Sequence, residues 1–292
     1  MNKKVLVVIA GPTAVGKTDI GISLAKLYNT DIISSDSRQI FKEMKIGVAR
    51  PNANQLASVK HHFIASRSIE DEYNAGLYEE DSNACLQELF QSKNVVVMVG
   101  GTGLYIKSSI EGLDHLPKAN PALREELKMQ LNKEGIESLQ QRLDNPEFKD
   151  QNNPQRLIRA IEIKESEFAP DAKNVVRNYH CIKIYLQMDR DALYSRINQR
   201  VDLMMKGGLL DEAEALYPKR SLNALQTVGY KELFDYLDGN STLEQAVEKI
   251  KQHSRNYAKR QITWFKNQGF TGVEAKEDRV VKYIAEALKN LN

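Results

Sequence analysis

Only two cysteines, Cys85 and Cys181, occur in the 292 residues, and they do not form a CxxC pair. That scarcity excludes a disulfide framework and a structural zinc site and fits a reducing compartment, with each thiol expected as a small buried hydrophobe. Long apolar runs are also missing. The run from Val5 to Ala10 covers six residues, against the roughly 20 that a membrane span needs. It follows Lys3 and Lys4 as an export signal would, yet passes straight into a glycine loop, so a cytoplasmic protein acting on no membrane is expected. Neither sign of charge prevails: 41 lysines and arginines face 39 acids, so net charge neither demands nor excludes nucleic acid. Repeats and low-complexity tracts are absent. What is present, 41% hydrophobic and 27% charged residues, suits an enzyme-sized fold of one large α/β unit or two lobes.

Val5 to Ala10 is continuous and β-branched, as in a strand covered on both faces of a parallel sheet. A glycine loop follows, then a helical period from Asp19 to Tyr28. Asp31 to Ser34 reads as a second strand ending in Ser35-Asp36-Ser37. Val95 to Val99 reads as a third, ending in Gly100-Gly101-Thr102-Gly103 with a helix from about Leu104. Recurring strand, polar loop and helix predict a doubly wound α/β sheet of the P-loop NTPase kind, with ligands beyond the carboxyl ends of the strands. After Leu113 the character changes. Residues 116–121 look like a linker, and charged helical sequence runs to about Ser166, broken near Pro146 and Pro154. Ile182 to Leu186 returns to a strand, Asp191 to Tyr217 is helical, and Leu243 to Phe265 is strongly periodic. The expected organisation is a core from 1–113 and 181–292, interrupted by a helical insertion at 114–180.

Gly11-Pro12-Thr13-Ala14-Val15-Gly16-Lys17-Thr18 matches G-x-x-x-x-G-K-[ST] in full, between a strand and a helix. Its backbone N–H groups and the following helix N-terminus cradle phosphates, Lys17 adds a mobile positive charge, and the Thr18 hydroxyl can ligate Mg²⁺. A nucleotide hydrolase would carry an aspartate at the end of a neighbouring strand to hold that metal. Here the third strand ends in glycines, and the carboxylate at a strand end is Asp36. On chemistry alone Asp36 is a turn cap or a functional acid with equal weight.

With these motifs in place, the sequence resembles the bacterial tRNA dimethylallyltransferase (tRNA isopentenyltransferase) family over almost its whole length. The matching segments are GPTAVGKT (11–18), DIISSDSRQIFKEMKIG (31–47), VGGTGLYI (99–106), NPQRLIRAIEI (153–163), TVGYKEL (227–233) and YAKRQITWF (257–265). Departures occur at Val48-Ala49-Arg50-Pro51 and after His61 and His62, and the zinc finger of eukaryotic relatives is not expected. The resemblance implies transfer of a dimethylallyl group from dimethylallyl diphosphate to N6 of adenosine 37 beside the anticodon, by a protein expected to be a monomer. It also implies that Asp36 is the general base, that Asp36, Ser37, Arg38 and Gln39 contact the target base, and that Thr102 holds it. Arg124 and the stretch Gln155-Arg156-Leu157-Ile158-Arg159 would grip the anticodon stem-loop, with Gln226 to Lys231 and Arg255, Lys259 and Arg260 as weaker carry-overs.

The chemistry is coherent from below. Adenine N6 is a poor nucleophile, but an allylic carbon carries positive charge while diphosphate leaves, and Lys17, the loop amides and Mg²⁺ stabilise that leaving group. A stacked base must be turned out before reaction, and an amide such as Gln39 offers it both donor and acceptor. Without the resemblance, Arg156 and Arg159 read as a solvated basic face, Trp264 and Phe265 as core, and His61 and His62 as structural. A small-molecule kinase using ATP and an adenylate isopentenyltransferase share the phosphate loop. The kinase leaves the arginines unexplained, and a free nucleotide needs no helical arm. A purely nucleic-acid-binding module leaves the loop and Asp36 unexplained.

Overall fold

The structure is a computed structural model and describes residues 3–113, 117, 119–166 and 177–291. Two compact units emerge, residues 1–111 with 176–292, and residues 112–175. The second thus begins and ends slightly before the expected 114–180, because the approach to the strand at His180 belongs to the first unit. Leu116 and Lys118 of the expected linker lie outside the described residues.

The first unit begins β1 (Val5–Ala10), α1 (Lys17–Leu27), β2 (Ile32–Ser34), α2 (Ala53–Ser58), β3 (His61–His62), α3 (Ala75–Ser92), β4 (Val95–Val99) and α4 (Gly103–Glu111). The second holds α5 (Pro121–Glu134), α6 (Ile136–Leu143) and α7 (Pro154–Glu165). The first then resumes with β5 (His180–Gln187), α8 (Arg190–Lys206), α9 (Leu209–Leu216), α10 (Tyr230–Leu237), α11 (Leu243–Asn267), β6 (Thr271–Glu274) and α12 (Glu277–Leu291).

The strands form a six-stranded sheet in the order β3-β2-β4-β1-β5-β6, every pairing parallel. All six residues of β1 are buried, which explains its unbroken apolar run. Strand alternation sends Val5, Val7 and Ile9 towards Leu24, Leu193 and Ile284, and Leu6, Val8 and Ala10 towards Leu86, Ile106 and Phe265. Each such fully buried aliphatic side chain contributes about 2 kcal/mol. Chain connections leave β1 for β2 on one side and reach β5 on the other, so the crevice at its carboxyl end is a topological switch point.

The expected helix from Asp191 to Tyr217 is two helices, because Gly207 and Gly208 part them and Gly208 takes φ 95°. β3 and β6, two and four residues long, escape sequence reading because short edge strands carry little apolar pattern. Cys85 and Cys181 are half-buried, not fully inside, and burial lifts their thiols to about 11 and about 12. In the helical unit Asn120 caps α5 and Asn153 caps α7, each followed by a proline at the first helical position. Leu127, Leu139, Leu143, Leu157, Ile158 and Ile161 form its core.

Candidate active site

The phosphate loop joins β1 to α1. Gly11 at φ 146° and Gly16 at φ 102° allow its turns, and Ala14 is also held at φ 65°. A side chain on Gly11 would crowd the backbone of Leu186 at 3.2 Å, so the loop lies directly against the end of β5. Lys17 Nζ folds back to donate to the carbonyls of Gly11 (3.0 Å) and Pro12 (2.7 Å). Desolvation lowers its pKa to about 8, with Asp36 opposing that shift and Arg200 adding to it. An anionic ligand in the cradle reverses the balance by favouring the ammonium.

Arg200, on α8, was not anticipated: its Nη1 lies 3.4 Å from Thr13 Oγ1. Arg196, one helical turn earlier, approaches Gly16. The loop therefore meets two guanidinium groups in addition to Lys17. Their signal in the sequence is a four-residue spacing on a charged helix, which any solvated helix shares.

Asp36 follows β2. Its Oδ1 accepts from the backbone N–H groups of Arg38 (2.9 Å) and Gln39 (3.2 Å), so it does cap a turn. The cap engages Oδ1 alone, so capping does not by itself use up the carboxylate. Thr102 ends the loop between β4 and α4. Its N–H donates to the Ser35 carbonyl (3.1 Å), and its hydroxyl accepts from Ser37 N–H (3.0 Å) and donates to Ser37 Oγ (3.2 Å). The Asp36 and Thr102 loops are thus laced together.

Gln39 departs from the expected two-sided reader. Its Nε2 donates to the carbonyls of Val48 and Ala49, both at 3.1 Å, so the amide's acceptor oxygen remains for a base. Arg38 donates to the Asn223 carbonyl at 3.0 Å. Tyr78, fully buried, donates to the Ser34 carbonyl (2.9 Å) and stacks on Tyr105 at 4.3 Å, bracing the strand end that carries Asp36.

α11 closes this neighbourhood through Tyr257, Gln261 and Trp264, on one helical face. Burial raises the Tyr257 phenol to about 12, with Asp36 adding to the shift and Arg38 opposing it. Arg260 lies over the same ring at 5.7 Å. Trp264, half-buried, packs so closely on Gly103 that a β-carbon there would sit 2.5 Å from the indole, and Phe265 is fully buried. Lys251 pairs with Asp202 and Glu248, and Arg255 donates to Asn198 Oδ1. His62 bonds Asp31 and His61 the Val59 carbonyl, both at 2.8 Å, which are structural contacts.

The helical unit corrects two expectations. Leu157 is 0% and Ile158 8% exposed, both inside the unit's core, so their side chains cannot present a face to RNA. Gln155 and Arg156 are exposed, with Arg156 pairing to Asp150 at 2.6 Å. Arg124 and Arg159 converge on Glu162, which sequence reading passed over as an ordinary helix acid. Arg124 makes two 2.8 Å bonds to its carboxylate, Arg159 one of 3.2 Å, and the Asn120 N–H one of 2.8 Å. Burial pushes the Glu162 carboxyl up, but these donors together outweigh it and hold it below the usual range.

Residues 39–268 match the family described as IPP transferase. The tRNA dimethylallyltransferase of Flavobacterium johnsoniae is 45% identical, over 98% of this chain and 99% of its own length. That of Christiangramia forsetii is 50% identical, over 89% of this chain and 90% of its own. Among solved structures, the full-length tRNA isopentenylpyrophosphate transferase of Bacillus halodurans superposes with a TM-score of 0.75 at 37% identity, covering 99% of this chain and 98% of that one. Both the sequence and the arrangement of the sheet and its loops lead to one conclusion: the chain belongs to the IPP transferase family.

Proposed function

We propose that this chain transfers the dimethylallyl group of dimethylallyl diphosphate to N6 of adenosine 37 in tRNA, releasing diphosphate. The observation that carries this reading is the lacing of an uncommitted carboxylate oxygen, Asp36 Oδ2, and the Thr102 hydroxyl into the crevice beside a phosphate loop. A kinase can also place a carboxylate there, for a hydroxyl, but it leaves Arg124, Arg156 and Arg159 of the helical unit without a role, whereas transfer to tRNA uses them.

The step exchanges one bond for another. The bond between the allylic carbon and the diphosphate oxygen breaks as the bond to N6 forms, and the N6 proton passes to Asp36 Oδ2. Lys17 and the loop amides receive the charge of the departing diphosphate, and Arg200 joins them from α8. Thr18 lies in the first turn of α1, and no cluster of three or more His, Cys, Asp or Glu residues able to hold a metal occurs among the described residues. That donor set fits Mg²⁺, which takes most of its shell from water and substrate phosphates and would here be held through Thr18. When bound, the ion supplies further neutralisation of the leaving group. On the acceptor side, the Gln39 oxygen suits the N–H of an exocyclic amine. Arg124, Arg156 and Arg159, with Gln155, serve as the phosphate-binding groups of the helical unit.

The test is incubation with labelled dimethylallyl diphosphate, Mg²⁺ and either unmodified tRNA or AMP. Label on tRNA, mapped to adenosine 37, is the expected result. Label on AMP alone, or on neither acceptor, would falsify the proposal.

A further inference from the structure

We infer that Gln261 is a positioning residue that holds the donor and acceptor sides of the site at reacting distance, an inference that rests on the transfer reaction proposed above. Gln261 lies on α11 and is 7% exposed. Its Oε1 accepts from the Thr13 backbone N–H at 2.9 Å, and its Nε2 donates to the Gly101 carbonyl at 2.9 Å. Thr13 belongs to the phosphate loop, and Gly101 immediately precedes Thr102. One planar amide therefore bridges the leaving-group cradle and the loop that faces Asp36. From Gly101 the connection continues through Thr102 to Ser35 and Ser37, which flank Asp36.

This position requires glutamine for a specific reason. The Thr13 N–H needs an acceptor and the Gly101 carbonyl needs a donor, and a carboxamide supplies both. Glutamate can only accept, and methionine, of similar length, does neither. Gly101 must also lack a side chain, because a β-carbon there would overlap the Gln261 amide. The bridge has a second effect: it occupies the Thr13 N–H, so the amides left to face phosphate begin at Ala14.

Displacement at an allylic carbon needs the incoming nitrogen and outgoing oxygen aligned, and a shift of about 1 Å in such a site costs on the order of 100-fold in rate. Both polar atoms of the Gln261 amide are spent on protein backbone, so its removal is expected to change alignment more than affinity. A carbon no longer aligned with N6 remains open to water. The carbon–diphosphate bond then breaks, a water oxygen bonds to carbon and releases its proton to solvent, and dimethylallyl alcohol appears.

The test compares wild type with Gln261→Met and Gln261→Glu, measuring kcat, KM for dimethylallyl diphosphate and for tRNA, and the ratio of alcohol to prenylated tRNA. In Gln261→Met, kcat is expected to fall roughly 100-fold, with both KM values near wild type and a raised alcohol fraction. Gln261→Glu keeps the acceptor for Thr13 but sets a carboxylate oxygen against the Gly101 carbonyl, so its kcat should fall at least as far. Affinity for inorganic pyrophosphate with Mg²⁺ should be unchanged in Gln261→Met. Wild-type kcat and product ratio in Gln261→Met overturn the inference. So does a loss accompanied by collapse of pyrophosphate affinity and thermal stability, which marks a purely structural residue. Absence of transfer to tRNA by the wild type itself overturns the proposed reaction, and is read before any variant.

Discussion

In the proposed reaction the phosphate-loop crevice and the arginines of the helical unit would both meet phosphates, and they are built differently. In the crevice, function rests on backbone: the Gly11–Gly16 turn, the N–H groups on Asp36, and carbonyls that hold Lys17. In the helical unit the proposed contacts rest on long side chains, Arg124 40%, Arg156 64% and Arg159 31% exposed; the buried carboxylate of Glu162 steers Arg124 and Arg159, while Arg156 pairs with Asp150. Bond making at an allylic carbon needs tightly fixed distances, whereas gripping an RNA backbone tolerates adjustment, since phosphate contacts orient without reading sequence. Rigid backbone would suit the first task and tethered guanidinium groups the second.

This contrast can be broken by substitution. Asp36→Asn keeps an oxygen for the Arg38 and Gln39 N–H groups but removes the base, so kcat should fall about 10³-fold with tRNA affinity preserved; single-turnover and filter-binding assays together check it. An Asp36→Asn enzyme with near-normal turnover leaves the carboxylate with its cap alone. Glu162→Ala should free Arg124 and Arg159, weakening tRNA binding by about tenfold and destabilising the unit by on the order of 2 kcal/mol. Diphosphate affinity should not change, and if it does, the division of labour between the regions is wrong. Arg159→Ala should act more weakly, reducing tRNA affinity and lowering the salt slope by about 1; a titration at several salt concentrations reads it.

The smallest effect concerns protons. Lys17, at about 8 because of burial, is charged below that pH and loses its proton above it. A diphosphate favours the ammonium, so binding above pH 8 should take up protons and weaken as pH rises. The same lowering makes the charged lysine unfavourable in the folded state, so its contribution to stability improves as pH climbs from about 8 towards the ordinary 10.5. Calorimetry in buffers of different ionisation enthalpy should show the uptake in wild type and not in Lys17→Met.

Legibility followed the same divide. The Gly11–Thr18 loop could be read directly because its backbone geometry demands particular residues at particular spacings, and β1 because burial on both faces forces an apolar run. Asp36 is visible in the sequence but ambiguous, and its cap explains the ambiguity: it engages only one carboxylate oxygen and so excludes neither reading. Gln261, Arg200 and Glu162 were not read as site residues. Gln261 and Glu162 stand inside the matching segments YAKRQITWF and NPQRLIRAIEI, yet on chemistry alone each of the three is an ordinary helix residue until a chain segment distant in sequence packs against it. Leu157 and Ile158 show the converse: the matching stretch implies five contact residues in a row, whereas α7 turns every third or fourth residue inward.

The lean of Gly11 on Leu186 also bears on the order of assembly. The loop has its sequence as soon as Thr18 is made, but β1 gains its β5 neighbour only after the helical unit has been synthesised, and Gln261 reaches Thr13 across 248 residues. Contacts of such separation form late, because long loops must close before they are rewarded. A nascent chain carries its most recognisable motif from the start, yet cannot shape that motif for a ligand until nearly all of the polypeptide has emerged.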